Sequence, residues 1–395
     1  MNGSFVHSQQ LSIENMLTNI ISTLAIATFL MFPFTGEHEN VNFITTKNDG
    51  SHMELLVGTY TGKGSEGIYQ LDFDIRTGEL SNEKLLVQTS NPSYLTQSKE
   101  RNFVYSVNEG GGGSVSSFNW AEGGDKLMLV SQQSSEGSSP CHVEINPAEN
   151  LLSVANYSSG NLTVFSLSGS GNIEANPTVF QHEGSGPVKP NQSGPRAHCS
   201  KFDPNGKFLY AVDLGIDQII SYPVTEEGVQ EPSSQLHLDP GDGPRHFIFH
   251  PKLDLAFVVN ELGSSVVSMK INHTTGELER IDKASTIPSD FDGKNYCADI
   301  HMSSDGRYLY ASNRGHHSIA IFEVSGDGTL NRIGIESVRG EWPRNFTLSP
   351  DEKYILVANP NTDNITVFNR DANSGLITYT GHEFKLSRPV ALLFR

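Results

Sequence analysis

The chain has 395 residues, of which 36% are hydrophobic, and its 37 glycines and 19 prolines indicate many short elements joined by turns. A formal charge of −18 argues against nucleic acid or an anionic membrane as partner, because their phosphates would be repelled. Three cysteines, Cys141, Cys199 and Cys297, are too few and too scattered for a disulfide framework or a zinc motif, and read as buried or half-buried thiols.

Residues 20–34, "IISTLAIATFLMFPF", form an apolar block too short to span a bilayer comfortably but suited to the core of a secretion signal. No Lys or Arg precedes Lys47, so the usual positive flank is missing. The expectation is therefore an extension over 1–52, either an export signal with its linker or an inert segment, with Met53 as a possible alternative start. Localisation stays open between export to the periplasm and the cytoplasm. The folded domain is expected over 53–395.

From there the chain repeats. "LLVGTY" (55–60), "GIYQLDFD" (67–74) and a strand around "EKLLVQTS" open it, and six similar units follow from residue 91. Among them are "SPCHVEINPAENLLSVANY" from 139, "GPRHFIFHPKLDLAFVVNE" from 243 and "WPRNFTLSPDEKYILVANP" from 342. With Cys297 standing in for proline, the units align on Pro92, Pro140, Pro195, Pro244, Cys297, Pro343 and Pro389, 46 to 55 residues apart. Each has an alternating strand, a turn such as Asp203-Pro204-Asn205-Gly206, a more hydrophobic strand, a third alternating strand and a weaker fourth. Four antiparallel strands per repeat define a β-propeller blade. The head lacks a first strand and the tail, "PVALLF", is a lone first strand, so the two termini together complete one blade. The predicted fold is all-β, a seven-bladed β-propeller whose C-terminal strand closes the ring.

In such a ring the start of each blade's first strand and the end of its second share one mouth of the axial channel. Second strands end in Asn108, Asn156, Asp213, Asn260, Asn313 and Asn359, a uniformity that suits a turn device. The next residue varies: Glu109, Tyr157, Leu214, Glu261, Arg314 and Pro360. After the proline position come Ser93, Cys141, Arg196, Arg245, Ala298, Arg344 and Val390, with His142 and His246 next along and His198 in the longer fourth blade. A non-symmetric site must be written where repeats differ. His198, Arg245, Glu261 and Arg314 are the polar outliers on consecutive blades and are the predicted catalytic set. His142, Arg196, Arg344 and Asn156 are carried as substrate-binding candidates.

No G-x-S-x-G elbow, P-loop, G-x-G-x-x-G in a βαβ setting or H-E-x-x-H occurs. "GGGG" at 110–113 reads as a loop, and His316-His317, if on a strand, would face opposite ways and could not share a metal. No cofactor is expected, and a metal held by rim carboxylates is the lesser alternative to none.

"LLVGTYTGKGSEGIY", "FDPNGKFLYAVDLGIDQI", "GPRHFIFHP" followed by "FVVNELGSSV", and "DGRYLYASNRGHHSIAIF" together resemble the seven-bladed lactonase family over 53–395. That family includes propeller-type 6-phosphogluconolactonases and fungal carboxymuconate lactonizing enzymes. The resemblance implies an active-site His at His198, an Arg at Arg245, a Glu at Glu261 and a second Arg at Arg314. It implies hydrolysis of a sugar lactone, 6-phospho-D-glucono-1,5-lactone by analogy, on a small anionic substrate by a monomer. Glu261 or His198 would be the base, with Arg245 and Arg314 holding the oxyanion and the substrate's anion. A muconate-type lactonizing isomerase and a non-enzymatic propeller presenting an apolar rim are the competing readings. The N-terminal extension departs from the cytosolic members, which begin near Met53.

Overall fold

The computed structural model describes residues 51–395; the apolar block at 20–34 and the expected signal lie outside the described residues. Among the described residues no helix is long and apolar enough to cross a membrane. The strands sort into seven antiparallel sheets in chain order, each with its first strand at one edge and its last at the other. We number these blades 1 to 7.

Blade 1 is built from both ends of the domain: Pro389–Phe394 pairs with His52–Thr59, which is followed by Gly67–Asp74 and Leu80–Gln88. The seam register runs from Leu55 opposite Phe394 to Gly58 opposite Ala391. Arg395 Nη1 to Glu54 Oε2 at 2.6 Å and Gln97 Nε2 to the Phe394 carbonyl at 2.8 Å fasten it further. Blade 4 alone carries an addition, since Gln218–Thr225 pairs with both Gly228–Val229 and Ser234–His237.

The inner strands are buried on both faces, which is why "FLYAVD" (208–213) and "LAFVVN" (255–260) read as nearly unbroken apolar runs while the outermost strands alternate. The core is seven separate clusters, each between neighbouring blades. Tyr210 and Val212 of blade 4, for example, pack against Phe247 and Val258 of blade 5. Burying a Phe or Leu in such a cluster stabilises by roughly 1.5–3 kcal/mol, so removing one ring loosens one inter-blade joint and leaves the others intact.

The Asn/Asp ends of the second strands are buried, and four of them stitch a blade to the previous one, Asp213 through its Oδ2, 2.7 Å from His182 Nδ1. Asn108 Nδ2 donates to the Ser90 carbonyl, Asn156 Nδ2 to Ser135 and Asn313 Nδ2 to Thr286, at 2.7–3.0 Å. Each acceptor lies just after the outermost strand of the preceding blade. The uniform position is therefore a scaffold device. This corrects Asn156 as a substrate-binding candidate: it is fully buried, with Nδ2 also donating to Thr163 Oγ1. His316 and His317 lie in the turn before Ser318–Val324, not on a strand. His316 Nδ1 meets Ser318 Oγ at 2.7 Å, and His317 Nδ1 accepts from the Trp342 amide at 3.1 Å.

Candidate active site

Two rings of side chains meet at one mouth of the channel. The lower ring comes from a repeated irregularity at the start of the inner strands. In blades 3, 4 and 5 the register slips between Pro140 and His142, Ala197 and Cys199, and Pro244 and His246. Cys141, His198 and Arg245 are the extra residues, and a bulge of this kind bends the strand and re-aims its side chain. In blade 7 both Arg344 and Asn345 address Ala358, which puts Arg344 in the same place. The upper ring is the residue just past the second strand, Tyr60, Glu109, Tyr157, Leu214, Glu261 and Pro360, with Arg314 as the last residue of its own second strand.

The register corrects one alignment. Ala197 pairs with Asp213 as Pro244 pairs with Asn260, so His198, and not Arg196, is the counterpart of Arg245. Arg196 sits one step further out. Its Nη1 donates to the Ser158 carbonyl at 2.9 Å and its guanidinium lies 5.5 Å from the Tyr157 ring centre, outside the cavity wall.

Between the rings is a cavity of about 160 Å³, walled by Glu109, Cys141, Tyr157, His198, Glu261, Arg314 and Arg344. Every one of these belongs to one of the two rings. A larger recess of about 690 Å³ lies on the outer side of blades 4 and 5, lined by Asp254, Lys270 and His273 among others. It gathers no buried charged side chain, whereas the axial cavity does, which makes the axial cavity the candidate active site.

Glu261 is the electrostatic centre. Its Oε2 lies 2.6 Å from Arg314 Nη2 and 3.1 Å from Arg245 Nε. The second contact is Coulombic, because the Arg245 Nε–H has no hydrogen-bond geometry to any acceptor. Burial pushes the Glu261 carboxyl up, but Arg314 and Arg245 override it and hold the group below the usual carboxylate range. Glu261 is therefore a fixed anion at neutral pH. Arg314 is anchored by Nε to the Tyr296 carbonyl at 3.2 Å and by Nη2 to Cys297 at 2.9 Å, and stacks on Trp342.

Arg245 is almost fully enclosed, with 1% exposure. Burial first, then repulsion from Arg314 and Arg344, lowers its pKa to about 10, so it remains a cation at pH 7. Its Nη1 donates to the Ala298 carbonyl at 2.5 Å and lies 3.1 Å from His246 Nε2. Nη1 can only donate, so His246 Nε2 accepts and the proton of this imidazole sits on Nδ1. That proton is directed at Asp299 Oδ1, 2.7 Å away. Asp299 also takes His301 Nε2, Asn345 Nδ2 and the amides of Ile300 and Phe346. Burial raises the Asp299 carboxyl, yet His301 and His246 bring it well below its ordinary range. Burial, followed by the Arg245 charge, lowers His246 to about 4, leaving it neutral.

His198 faces the cavity one layer above. Burial and then the charge of Arg245, with Arg344 and Arg314 adding to it, hold its pKa well below 6.5. It is a neutral imidazole with Nδ1 3.7 Å from Cys141 Sγ, and its ring meets those of Tyr157 and His246 edge-on at 5.5 and 5.4 Å. His142 lies deeper, its ring between Tyr94 at 4.2 Å and His246 at 5.7 Å, and does not wall the cavity.

Across the cavity a second carboxylate, Glu109, accepts from Tyr60 Oη at 2.9 Å and from Arg344 Nη2 at 3.2 Å. Sequence reasoning had Glu109, Tyr157 and Cys141 in its variable positions but did not single them out, because it favoured polar outliers on consecutive blades. Arg344 and Glu109 join blades 7 and 2 across blade 1. No group of three or more His, Cys, Asp or Glu side chains able to hold a metal occurs among the described residues.

Residues 54–394 match the family model described as "Lactonase, 7-bladed beta-propeller", and the chain belongs to that family. Among its relatives is the 6-phosphogluconolactonase of Bacillus subtilis, 36% identical over 340 residues that cover 86% of this chain and 97% of that one. A 6-phosphogluconolactonase of Formosa agariphila is 34% identical, covering 81% and 93% of the two chains. Of solved structures, the periplasmic gluconolactonase of Pseudomonas aeruginosa superposes with a TM-score of 0.83 at 32% identity, over 87% of this chain and 99% of that one.

Proposed function

We propose that the protein hydrolyses a sugar lactone at the axial cavity, with 6-phospho-D-glucono-1,5-lactone as substrate and His198 as the base. The observation that carries this reading is a buried, neutral imidazole facing a cavity whose other polar walls are guanidiniums and fixed carboxylates. A charged mouth of this kind supports an enzyme over a docking module with an apolar rim.

His198 takes a proton from water as the water oxygen bonds to the lactone carbonyl carbon. The imidazolium then returns that proton to the ring oxygen as the C–O bond breaks, leaving the open-chain acid. Glu261 is the weaker candidate for the base, because its Oε2 is taken by Arg314 and Arg245 and the two cations lower its affinity for a proton. It serves to hold both guanidiniums in place. Their donors suit both a developing oxyanion and a carboxylate or phosphate. The Tyr157 ring offers a flat face to the sugar's C–H groups, and Arg196 and Arg388, over Tyr157 and Tyr60 at 5.5 and 5.0 Å, stand outside where a phosphate would emerge.

The test is lactone consumption, corrected for spontaneous opening, with phosphorylated and unphosphorylated gluconolactone and a muconolactone. Turnover of the sugar lactones, with Arg245→Met reducing kcat/KM by about 10²-fold or more, supports the reading. Wild-type rates in Arg245→Met, or turnover of the muconolactone alone, overturn it.

A further inference from the structure

We propose that Ser93 is a catalytic residue: its hydroxyl, with Arg245 and Arg344, forms an oxyanion pocket directly beneath the cavity. The inference rests on the lactone-hydrolysis reading of this site and assigns the place of the substrate's carbonyl oxygen.

Ser93 is the blade-2 member of the lower ring, the position held by Cys141, His198 and Arg245 in the next three blades. It is carried toward the axis by close packing at the start of its blade. Gly58 has no side chain there, and a Cβ on it would lie 2.1 Å from the Pro92 carbonyl oxygen. Ser93 is 2% exposed, and its Oγ has no hydrogen-bond partner among the described residues. A buried polar atom left unpaired costs roughly 1–3 kcal/mol, and such an atom beside a reaction centre calls for a functional partner.

Ser93 borders a hollow of about 10 Å³ whose wall also includes Arg245, Arg344, His246, Asn345, the Tyr94 phenol and the Cys141 thiol. That is the room of one oxygen atom. The hollow shares Cys141 and Arg344 with the larger cavity above, so the two adjoin at that edge. Its chemistry is one-sided. No carboxylate lines it, His246 Nε2 is already engaged by Arg245, and Arg245 and Arg344 bring two guanidinium charges to its wall. An unpaired hydroxyl and two cations around a single-atom space select an oxygen bearing negative charge.

When water adds to the lactone carbonyl carbon, the C=O π pair moves onto the carbonyl oxygen, and the Ser93 O–H and the two guanidiniums donate to it. On collapse that pair re-forms the C=O bond, and the departing ring oxygen takes the proton held by His198. Ser93 forms no bond to substrate.

The experiment is steady-state kinetics of wild type, Ser93→Ala and Ser93→Thr on a sugar lactone, with a Tm for each. Ser93→Ala should lose about 10²-fold in kcat with KM little changed and Tm equal or higher, since it removes an unpaired buried hydroxyl. Ser93→Thr, which keeps the hydroxyl, should recover most of the loss. Wild-type kcat in Ser93→Ala, or a loss confined to KM, overturns the proposal while leaving the lactonase reading standing. A wild-type protein inert toward sugar lactones overturns both.

Discussion

Two positions one residue apart in sequence follow each other round the same rim and do opposite work. The first, Asn108, Asn156, Asp213, Asn260, Asn313 and Asn359, is nearly uniform and at most 7% exposed. Its side chains bond within the scaffold, four of them to the crossover from the previous blade. The second, from Tyr60 through Glu109, Tyr157, Glu261 and Arg314 to Pro360, differs in almost every blade, and four of its members wall the cavity. A ring of repeats gives each position seven chances. Where one solution serves all seven blades it belongs to the scaffold, and where the answers diverge the symmetry has been given up for a ligand.

That contrast can be broken by substitution. His198→Ala should lower kcat by about 10²- to 10⁴-fold while leaving Tm near wild type, measured by lactone consumption and thermal melting. An equal loss of Tm would make His198 a packing residue.

Acid should attack the layer that carries charge. His142, His198 and His246 are all held below their ordinary 6.5, His246 at about 4. Between those values the unfolded chain binds protons that the folded chain refuses, so stability falls as pH drops from 6.5 to 4 and is retained above 6.5. His246 alone contributes on the order of 3 kcal/mol to that loss. Thermal melting at pH 7, 6, 5 and 4 checks it, and a flat Tm contradicts it.

Asn313→Ala removes a side chain bonded to the Thr286 carbonyl, Ser318 Oγ and Asn295 Nδ2. It should cost about 1–3 kcal/mol of stability without changing kcat or the pH slope of Tm, as denaturant unfolding and kinetics would show. Glu109→Gln should have the smallest effect, a few-fold change in KM. It keeps the shape of the acceptor for Tyr60 and the hydrogen bond from Arg344 while removing one charge from a pair whose side chains are 13% and 23% exposed.

The ring, its seven blades and its closure were legible because alternation and turn residues recur at a fixed period. Glu261 and Arg314 were legible because they break a repeat. The bulge was not. Whether residue 196 or 198 faces the axis depends on which amide pairs with Asp213, and hydrophobic alternation is silent on a shift made by one unpaired residue. Hence Arg196 was aligned with Arg245, and His198 was reached only as an outlier. Asp299 escaped for a related reason: it lies two residues past Cys297, beyond the compared positions, yet it fixes the His246 tautomer and through it Arg245. Ser93 and Glu109 stood in the compared positions, but what sets them apart is a buried hydroxyl without a hydrogen-bond partner among the described residues and a contact across blade 1, which only three dimensions supply.

The seam in blade 1 has one more consequence. Arg344, Tyr60 and Glu109 belong to blades 7, 1 and 2 and so straddle the join between the chain's two ends, whereas His198, Arg245, Glu261 and Arg314 sit on the continuous arc of blades 4 to 6. If the terminal strand peels away, the first trio scatters while the second group keeps its arrangement. A molecule lodged between the two groups is then a clasp: gripping the unbroken arc on one side and the parted ends on the other, it resists gaping of the ring, so occupancy and closure reinforce each other.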